Sequence, residues 1–295
     1  MLKAERFLAA AHERLEPLRG TYIREPIWRD HLVKTEQVDA GYGRWLAALL
    51  PHLAERSGVT MPPRVLDFGC GTGELTVLMN QLGFEAYGVD VHREHLELAR
   101  ILAEENGIPV ERLVLAQPGP LPFPDQRFDL ATMFFVLEHM SDRVLDRVLP
   151  ELARVCRGAL FVQVPNRWQV RDDHTGLALV PWMPRPLAAA YVRVRGARHR
   201  YAISRDGSWD VWYRGIAAIR RRFARHGYRV EPVPDALVFP SFADSPPLFR
   251  TDGAAPLKRV AQALVRNCVR ALDGPGEVAR HPFLNLAAIP ERVAR

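Results

Sequence analysis

Cysteine is scarce in this sequence and long apolar runs are missing. Cys70, Cys156 and Cys268 lie far apart, which excludes a paired-cysteine metal signature or a disulfide framework. An odd, unspaced set of thiols suits a reducing compartment, so the expected location is cytoplasmic. No stretch approaches the roughly 18–20 apolar residues that would span a bilayer. Residues 1–14 interleave Lys3, Glu5, Arg6, Glu13 and Arg14 with apolar side chains and lack the unbroken apolar run of a signal peptide. Internal repeats and low-complexity tracts are absent, which excludes solenoids and fibrous architectures.

What is present is the composition of a globular protein. Of 295 residues, 48% are hydrophobic and 25% charged, which permits a sizeable core and argues against wholesale disorder. The length suits one large domain, or one domain with additions. The net charge of +6 is unevenly spread: residues 1–150 hold 16 Lys+Arg against 22 Asp+Glu, and residues 151–295 hold 24 against 12. A basic half can face an anionic substrate, a membrane surface or nucleic acid, or be a solvated arginine-rich surface.

Apolar spacing predicts helices over 2–18 and 34–54, the second presenting Trp45, Leu46, Leu49 and Leu50, with Tyr22, Ile27 and Trp28 in the stretch between. Pro62 and Pro63 end this region. From Arg64 the rhythm changes. Short apolar runs at 65–68, 84–89, 112–116, 128–134 and 159–164 alternate with helical patterns at 74–82, 92–106 and 141–155, the last with Ser141 and Asp142 as candidate caps. That alternation predicts an α/β fold with a parallel sheet covered by helices on both faces. Beyond Asn166 come a Pro-bracketed Trp182-Met183, a basic amphipathic stretch at 187–201 and a helix at 209–226. A strand at 228–233, an irregular excursion at 232–248, a helix at 255–272 and a strand at 283–289 follow. The expected organisation is an N-terminal helical cap (1–60), a core (61–166), a substrate-side insert (167–208) and a segment completing the core (209–295).

Gly69, Gly71 and Gly73 stand between the first strand and its helix. Glycine tolerates positive φ and lets backbone approach a ligand closely, and the helix start offers free N–H groups. In open α/β sheets ligands bind beyond the carboxyl ends of the strands. Asp90 ends the next strand, where a carboxylate can accept hydrogen bonds from both hydroxyls of a ribose. These features alone suit an S-adenosylmethionine (SAM) site or a dinucleotide site equally.

The run Val65-Leu66-Asp67-Phe68-Gly69-Cys70-Gly71-Thr72-Gly73 resembles motif I of the class I SAM-dependent methyltransferases, including the acid at Asp67. A dinucleotide fingerprint would lack that acid. Leu121-Pro122-Phe123-Pro124-Asp125 with Phe128-Asp129 resembles the family's lead into strand four, and Val136-Leu137-Glu138-His139 its post-strand-four motif. Val164-Pro165-Asn166-Arg167 resembles the end of strand five in the branch containing the ubiquinone-biosynthesis O-methyltransferases. The resemblance implies a Rossmann-like, seven-stranded, mostly parallel sheet with N-terminal helices and a helical insert after strand five. It implies SAM as cofactor: Asp67, Gly69, Cys70, Gly71 and Gly73 toward its amino-acid end, Asp90 on the ribose, Val91 on the adenine, and Met133 and Phe134 near the methionine portion. The family often places Asp after strand three to read the adenine amino group; here Gln117 stands there, whose amide oxygen can still accept that hydrogen bond.

Methyl transfer to a hydroxyl needs an aligned nucleophile and a base. His139 is the first candidate base, with Glu138 and His174 beside it in the expected catalytic set. Some family members bind a divalent metal through Glu-x-x-Glu-His after strand four and a later His. Here Phe135 replaces the first Glu, so no metal is expected, although Asp172 and Asp173 could supply a carboxylate. Tyr22, Trp28 and Arg29, and Trp168, Arg171, Trp182 and Arg185 of the insert, suit a small-molecule acceptor pocket. Residues 187–201 offer a basic amphipathic surface for peripheral membrane contact and a lipid-linked acceptor. Nucleic acid is not an expected partner, for want of an RNA-binding module. An RNA methyltransferase, a SAM-binding protein without catalysis and a nucleotide-dependent dehydrogenase are the competing readings.

Overall fold

The computed structural model describes residues 2–15, 41–172, 174–195, 211–238, 267, 271–272 and 283–291. Helices α1 (Glu5–Leu15) and α2 (Tyr42–Ser57) precede the sheet. Residues 2–4 precede the first helix without helical structure; residues 16–18, the expected start of α2 and the aromatics Tyr22 and Trp28 lie outside the described residues. Gly58, at φ +64, ends α2 in the left-handed conformation that glycine adopts without cost.

Strands β1 (Arg64–Phe68), β2 (Glu85–Asp90), β3 (Leu113–Leu115), β4 (Leu130–Phe134), β5 (Leu160–Pro165), β6 (Tyr228–Pro232) and β7 (Phe283–Pro290) form one seven-stranded sheet in the order β3-β2-β1-β4-β5-β7-β6. All pairings among the first five are parallel, and β7 pairs antiparallel with both β5 and β6. β3 is shorter than its apolar run because Val110–Arg112 closes a 3-10 turn after Pro109. β4 starts late because Phe128 makes only an isolated bridge to Cys156.

Alternation along the strands sends side chains into two cores. Leu66, Ala131, Met133 and Val162 meet α5 (Asp142–Val155) and α7 (Ile216–Ala224), whereas Val65, Leu130 and Phe161 meet α2 and α3 (Glu74–Gln81). α5 buries Leu145, Val148, Leu149, Leu152 and Val155, spaced by three and four residues. Its N-terminus is capped by Ser141 Oγ, which accepts from the Val144 N–H at 3.3 Å, a contact worth about 1 kcal/mol. Helix α4 (Arg93–Glu105) packs with α1 in a third cluster.

The insert after β5 contains α6 (Arg185–Arg195), packed through Ala188 and Val192 with Leu177, Val180 and Val211. The basic stretch beyond 195 lies outside the described residues, as does most of the helix expected at 255–272. One expectation is corrected. The helical pattern over 209–226 yields a helix only from Ile216, while 211–215 runs non-helically because its polar groups are used elsewhere: the Trp212 N–H donates to Glu138 O at 2.6 Å. No helix among the described residues is long and apolar enough to cross a membrane.

The parallel strands end along one edge, and the order reverses between β1 and β4. That switch point is where open α/β sheets hold ligands, and the glycine turn occupies it.

Candidate functional site

The turn leaves β1 with Gly69, Gly71 and Gly73 at φ +77, +55 and +83. Two of these glycines are fixed by space as well as by φ. A Cβ on Gly69 would stand 2.4 Å from Val136 Cγ2, and one on Gly73 2.8 Å from Ala99 Cβ. The N–H groups of Gly69 and Cys70 both donate to Val89 O, and the Gly71 N–H donates to Asp90 Oδ2 at 2.9 Å. The end of β2 therefore shapes the turn that follows β1. Cys70 is structural here: burial pushes its thiol well above its ordinary pKa, so it is not a nucleophile.

Asp67 lies beneath the turn and does not face the opening. It is 2% exposed, with Oδ2 accepting from Thr76 Oγ1 at 2.6 Å and Oδ1 from Thr132 Oγ1 at 3.0 Å. Burial raises its pKa to about 6, against the lowering effect of those two hydroxyls. Asp90 is also buried, but its Oδ1 accepts from the His92 N–H at 2.8 Å and faces the rings of His92 and His95. Burial alone would raise its pKa; the hydrogen bonds of both histidines and the charge of His95 outweigh it and hold Asp90 well below the usual carboxylate range. One carboxylate is thus poised near neutrality and the other firmly ionised. Val91 and Gln117 are exposed beside Asp90, Gln117 being kept there by the Ala116 N–H donating to Asp90 O. A cation such as the sulfonium, with its ribose and amino groups, suits this arrangement of ionised carboxylate and open backbone.

β4 divides its two residues. Met133 is fully buried on the α5 side of the sheet, so it belongs to the core and not to the opening, a correction that follows from strand alternation. Phe134 points the other way and meets Trp45 and Phe161 at centroid distances of 5.7 and 5.5 Å. Phe135 then adopts φ +56, unusual for a bulky residue. The 3-10 turn Leu137–His139 follows.

Glu138, His139 and His174 converge, with donor atoms all within 4.8 Å of one another. The His139 and His174 rings lie edge to face at 5.4 Å. His139 reaches solvent, yet the protein crowded around it, and then the charges of His174 and His92, lower its pKa below the ordinary imidazole value. His92, whose charge contributes to that lowering, also flanks Asp90. His174 Nδ1 stands 3.5 Å from Asp172 Oδ1, and the buried Asp172 also accepts from the Thr175 N–H, Thr175 Oγ1 and the Tyr213 hydroxyl. Asp173 lies outside the described residues.

Sequence reasoning missed the residues that brace this cluster. Arg214, 7% exposed, donates to Leu137 O at 3.0 Å and Met140 O at 2.7 Å and pairs with Asp142 at 2.7 Å. It thereby clamps both ends of the turn that carries Glu138 and His139. Tyr213 supports His174 through Asp172. Tyr42 of α2 is a third omission: burial, then the charge of Glu74, pushes its pKa up to about 12, so the N-terminal helix reaches the start of α3 beside the glycine turn. No local pattern marks these residues, because their partners are distant in sequence.

Residues 65–158 match a methyltransferase domain family. A ubiquinone biosynthesis O-methyltransferase from Proteus mirabilis is 37% identical over 93 residues, 32% of this chain and 38% of that protein. One from Bordetella parapertussis is 32% identical over 126 residues, 40% of this chain and 46% of that protein. The chain spans half or less of the length of these curated relatives. Among solved structures, a SAM-dependent methyltransferase from Mesorhizobium loti is 19% identical, with 81% of this chain and 96% of that chain covered and a TM-score of 0.47. Over residues 65–158 the chain thus matches a methyltransferase domain, and it is similar there to the ubiquinone biosynthesis O-methyltransferases.

Proposed function

We propose that the chain transfers the methyl group of SAM to a hydroxyl oxygen of a small-molecule acceptor. The observation that carries the reading is convergence: a glycine turn closed by an ionised Asp90 and an accessible histidine after β4 share one edge of the sheet. The names of the relatives support oxygen as the acceptor atom. In this reading the turn backbone, supported from below by Asp67, holds the amino-acid end of SAM. Asp90 accepts from the ribose hydroxyls, Val91 covers the adenine, Gln117 accepts from its amino group, and Phe134 walls the methionine portion. His139, kept neutral at physiological pH by its lowered pKa, takes the acceptor proton as the oxygen attacks the methyl carbon and S-adenosylhomocysteine leaves. Calorimetry with S-adenosylhomocysteine against NAD, followed by labelled-methyl transfer to a panel of phenols and other hydroxylated acceptors, tests it. Binding without transfer to any acceptor would favour a non-catalytic SAM-binding protein, and transfer to RNA alone the RNA reading.

One observation favours metal assistance. Glu138, His139 and His174 supply one carboxylate and two imidazoles, a donor set that suits a zinc-like ion better than Mg²⁺, which prefers oxygen. A bound ion would lower the pKa of the acceptor hydroxyl. Metal analysis of the purified protein, with thermal unfolding before and after chelation, decides this. Exposed Leu187 and Val194 beside Arg193 and Arg195 on α6 support peripheral contact with an anionic membrane and a lipid-linked acceptor.

A further inference from the structure

A second concave site lies against the reverse side of the braced turn, and nothing in the methyl-transfer reading uses it. It is a cleft of about 350 Å³ between the 212–214 segment and α7. On α7 and its C-cap, Ala218, Arg221, Arg222 and Arg225 recur at spacings of three and four, so they share one face. Ala218 leaves room where a longer side chain would fill the cleft. Arg214 and Asp142 complete the wall, with Trp212 and Tyr213 as its aromatic part.

The charge here is unbalanced. Four guanidinium groups face one carboxylate, and that carboxylate is already engaged: Asp142 pairs with Arg214 at 2.7 Å and with Arg222 at 2.9 Å. Arg222 also pairs with Asp146. Arg221 and Arg225 are exposed and make no salt bridge or side-chain hydrogen bond among the described residues. Like charges four residues apart on a helix repel, so this face is held in an arrangement that an anion would relieve. The adjoining Trp212 ring is covered by Arg185, whose guanidinium carbon lies 3.6 Å from the ring centroid. A fifth arginine, from the insert, thus backs the Trp212 wall without lining the cleft itself.

We infer that this cleft binds a phosphate or diphosphate group, held by Arg221 and Arg225 with Arg222 and Arg214 behind them. Planar guanidinium forks match phosphate oxygens two at a time, and several converging on one concave site select a doubly charged oxyanion over chloride or a single carboxylate. The site adjoins the proposed catalytic turn. The Trp212 N–H donates to Glu138 O, Arg214 holds Leu137 O and Met140 O, and Tyr213 supports Asp172. An anion bound in the cleft is thus one residue layer from Glu138 and His139. The phosphate can belong to a soluble phosphorylated molecule or to a lipid headgroup. The inference does not depend on which acceptor is methylated.

The test uses the full chain, inorganic pyrophosphate and the double variant Arg221→Gln/Arg225→Gln, whose exposed side chains lie outside the SAM site. Titration calorimetry should show saturable one-to-one binding of pyrophosphate to the wild type, weakened about tenfold or more in the double variant. Affinity for S-adenosylhomocysteine should be equal in both proteins; its absence from both would overturn the methyl-transfer reading and leave the cleft intact. Sedimentation with phosphatidylglycerol vesicles, competed by pyrophosphate and lost in the double variant, assigns the phosphate to a lipid headgroup. Pyrophosphate binding without such sedimentation assigns it to a soluble molecule. Either result supports the cleft. Absence of saturable pyrophosphate binding, equal binding by the double variant, or capture of single-stranded RNA that pyrophosphate does not displace overturns it.

Discussion

The Gly71 N–H donates to Asp90 Oδ2 at 2.9 Å, so the last residue of β2 closes the glycine turn that follows β1. One carboxylate oxygen shapes the turn while the other is held by the His92 N–H. Oδ2 keeps a second lone pair, whereas Oδ1 also faces the His92 and His95 rings, so it is through Oδ2 that Asp90 can organise the turn and accept from a ligand at once.

Replacing Asp90 by Asn should therefore weaken S-adenosylhomocysteine binding by about ten- to a hundredfold, since hydrogen bonds to a charged group contribute roughly 1.5–3 kcal/mol. The thermal transition should move only modestly, because the amide can still accept from the Gly71 N–H. Calorimetry with circular dichroism melts measures both. Unchanged affinity would remove Asp90 from the ribose role.

A second prediction concerns Gly69. Gly69→Ala must place a Cβ at φ +77 and within 2.4 Å of Val136 Cγ2. Two costs combine, backbone strain and a clash with the branched side chain that leads into the Glu138 turn. Urea unfolding should show a loss of about 2–4 kcal/mol. In a Val136→Ala background the same substitution should cost less, because the two γ-methyl contacts are gone and only the 3.2 Å approach to Cβ and the backbone strain remain. Equal losses in both backgrounds would show that Val136 is not the obstacle.

How much of this was legible in the sequence follows from the distance over which each feature is specified. The run from Arg64 to Pro165 was readable because strand, glycine turn and amphipathic helix are local patterns. Asp67, Asp90 and His139 can be named as candidates from sequence for the same reason: each stands at a fixed offset from a strand end. Met133 was misplaced because motif position does not reveal which face of β4 it takes. Arg214 and Tyr213 were invisible because they act on Leu137, Met140 and Asp172, 41–77 residues earlier. The same contacts explain why 211–215 within the helical pattern over 209–226 are not helical: tertiary hydrogen bonds claim the Trp212 N–H.

Asp67 supplies a pH test. Its folded pKa of about 6 lies above the unfolded value of about 3.9. The folded state therefore prefers the protonated acid. That contribution is complete below about pH 4 and is lost as pH rises through about 6, an integrated change of roughly 3 kcal/mol. Asp67→Asn cannot ionise but can still accept from Thr76 or Thr132. The variant's stability relative to wild type should accordingly improve between pH 4 and pH 7, read from urea unfolding at each pH. A difference that stays flat would mean that Asp67 ionisation is not linked to folding.

The last prediction separates the base from its brace. His139→Ala removes an exposed imidazole of the Glu138–His139–His174 cluster, so kcat should fall about a hundredfold or more while S-adenosylhomocysteine affinity stays near wild type. Arg214→Met acts differently. It strips hydrogen bonds from the buried Leu137 and Met140 carbonyls and leaves Asp142 with Arg222 alone, which should cost about 2–4 kcal/mol in stability. The turn it clamps should then wander, and kcat should fall with it, whereas the site around Asp90 is untouched. Arg214→Lys, able to restore one of the two carbonyl bonds, should recover part of both losses. If Arg214→Met lowers stability without changing kcat, Arg214 holds the fold and not the position of His139.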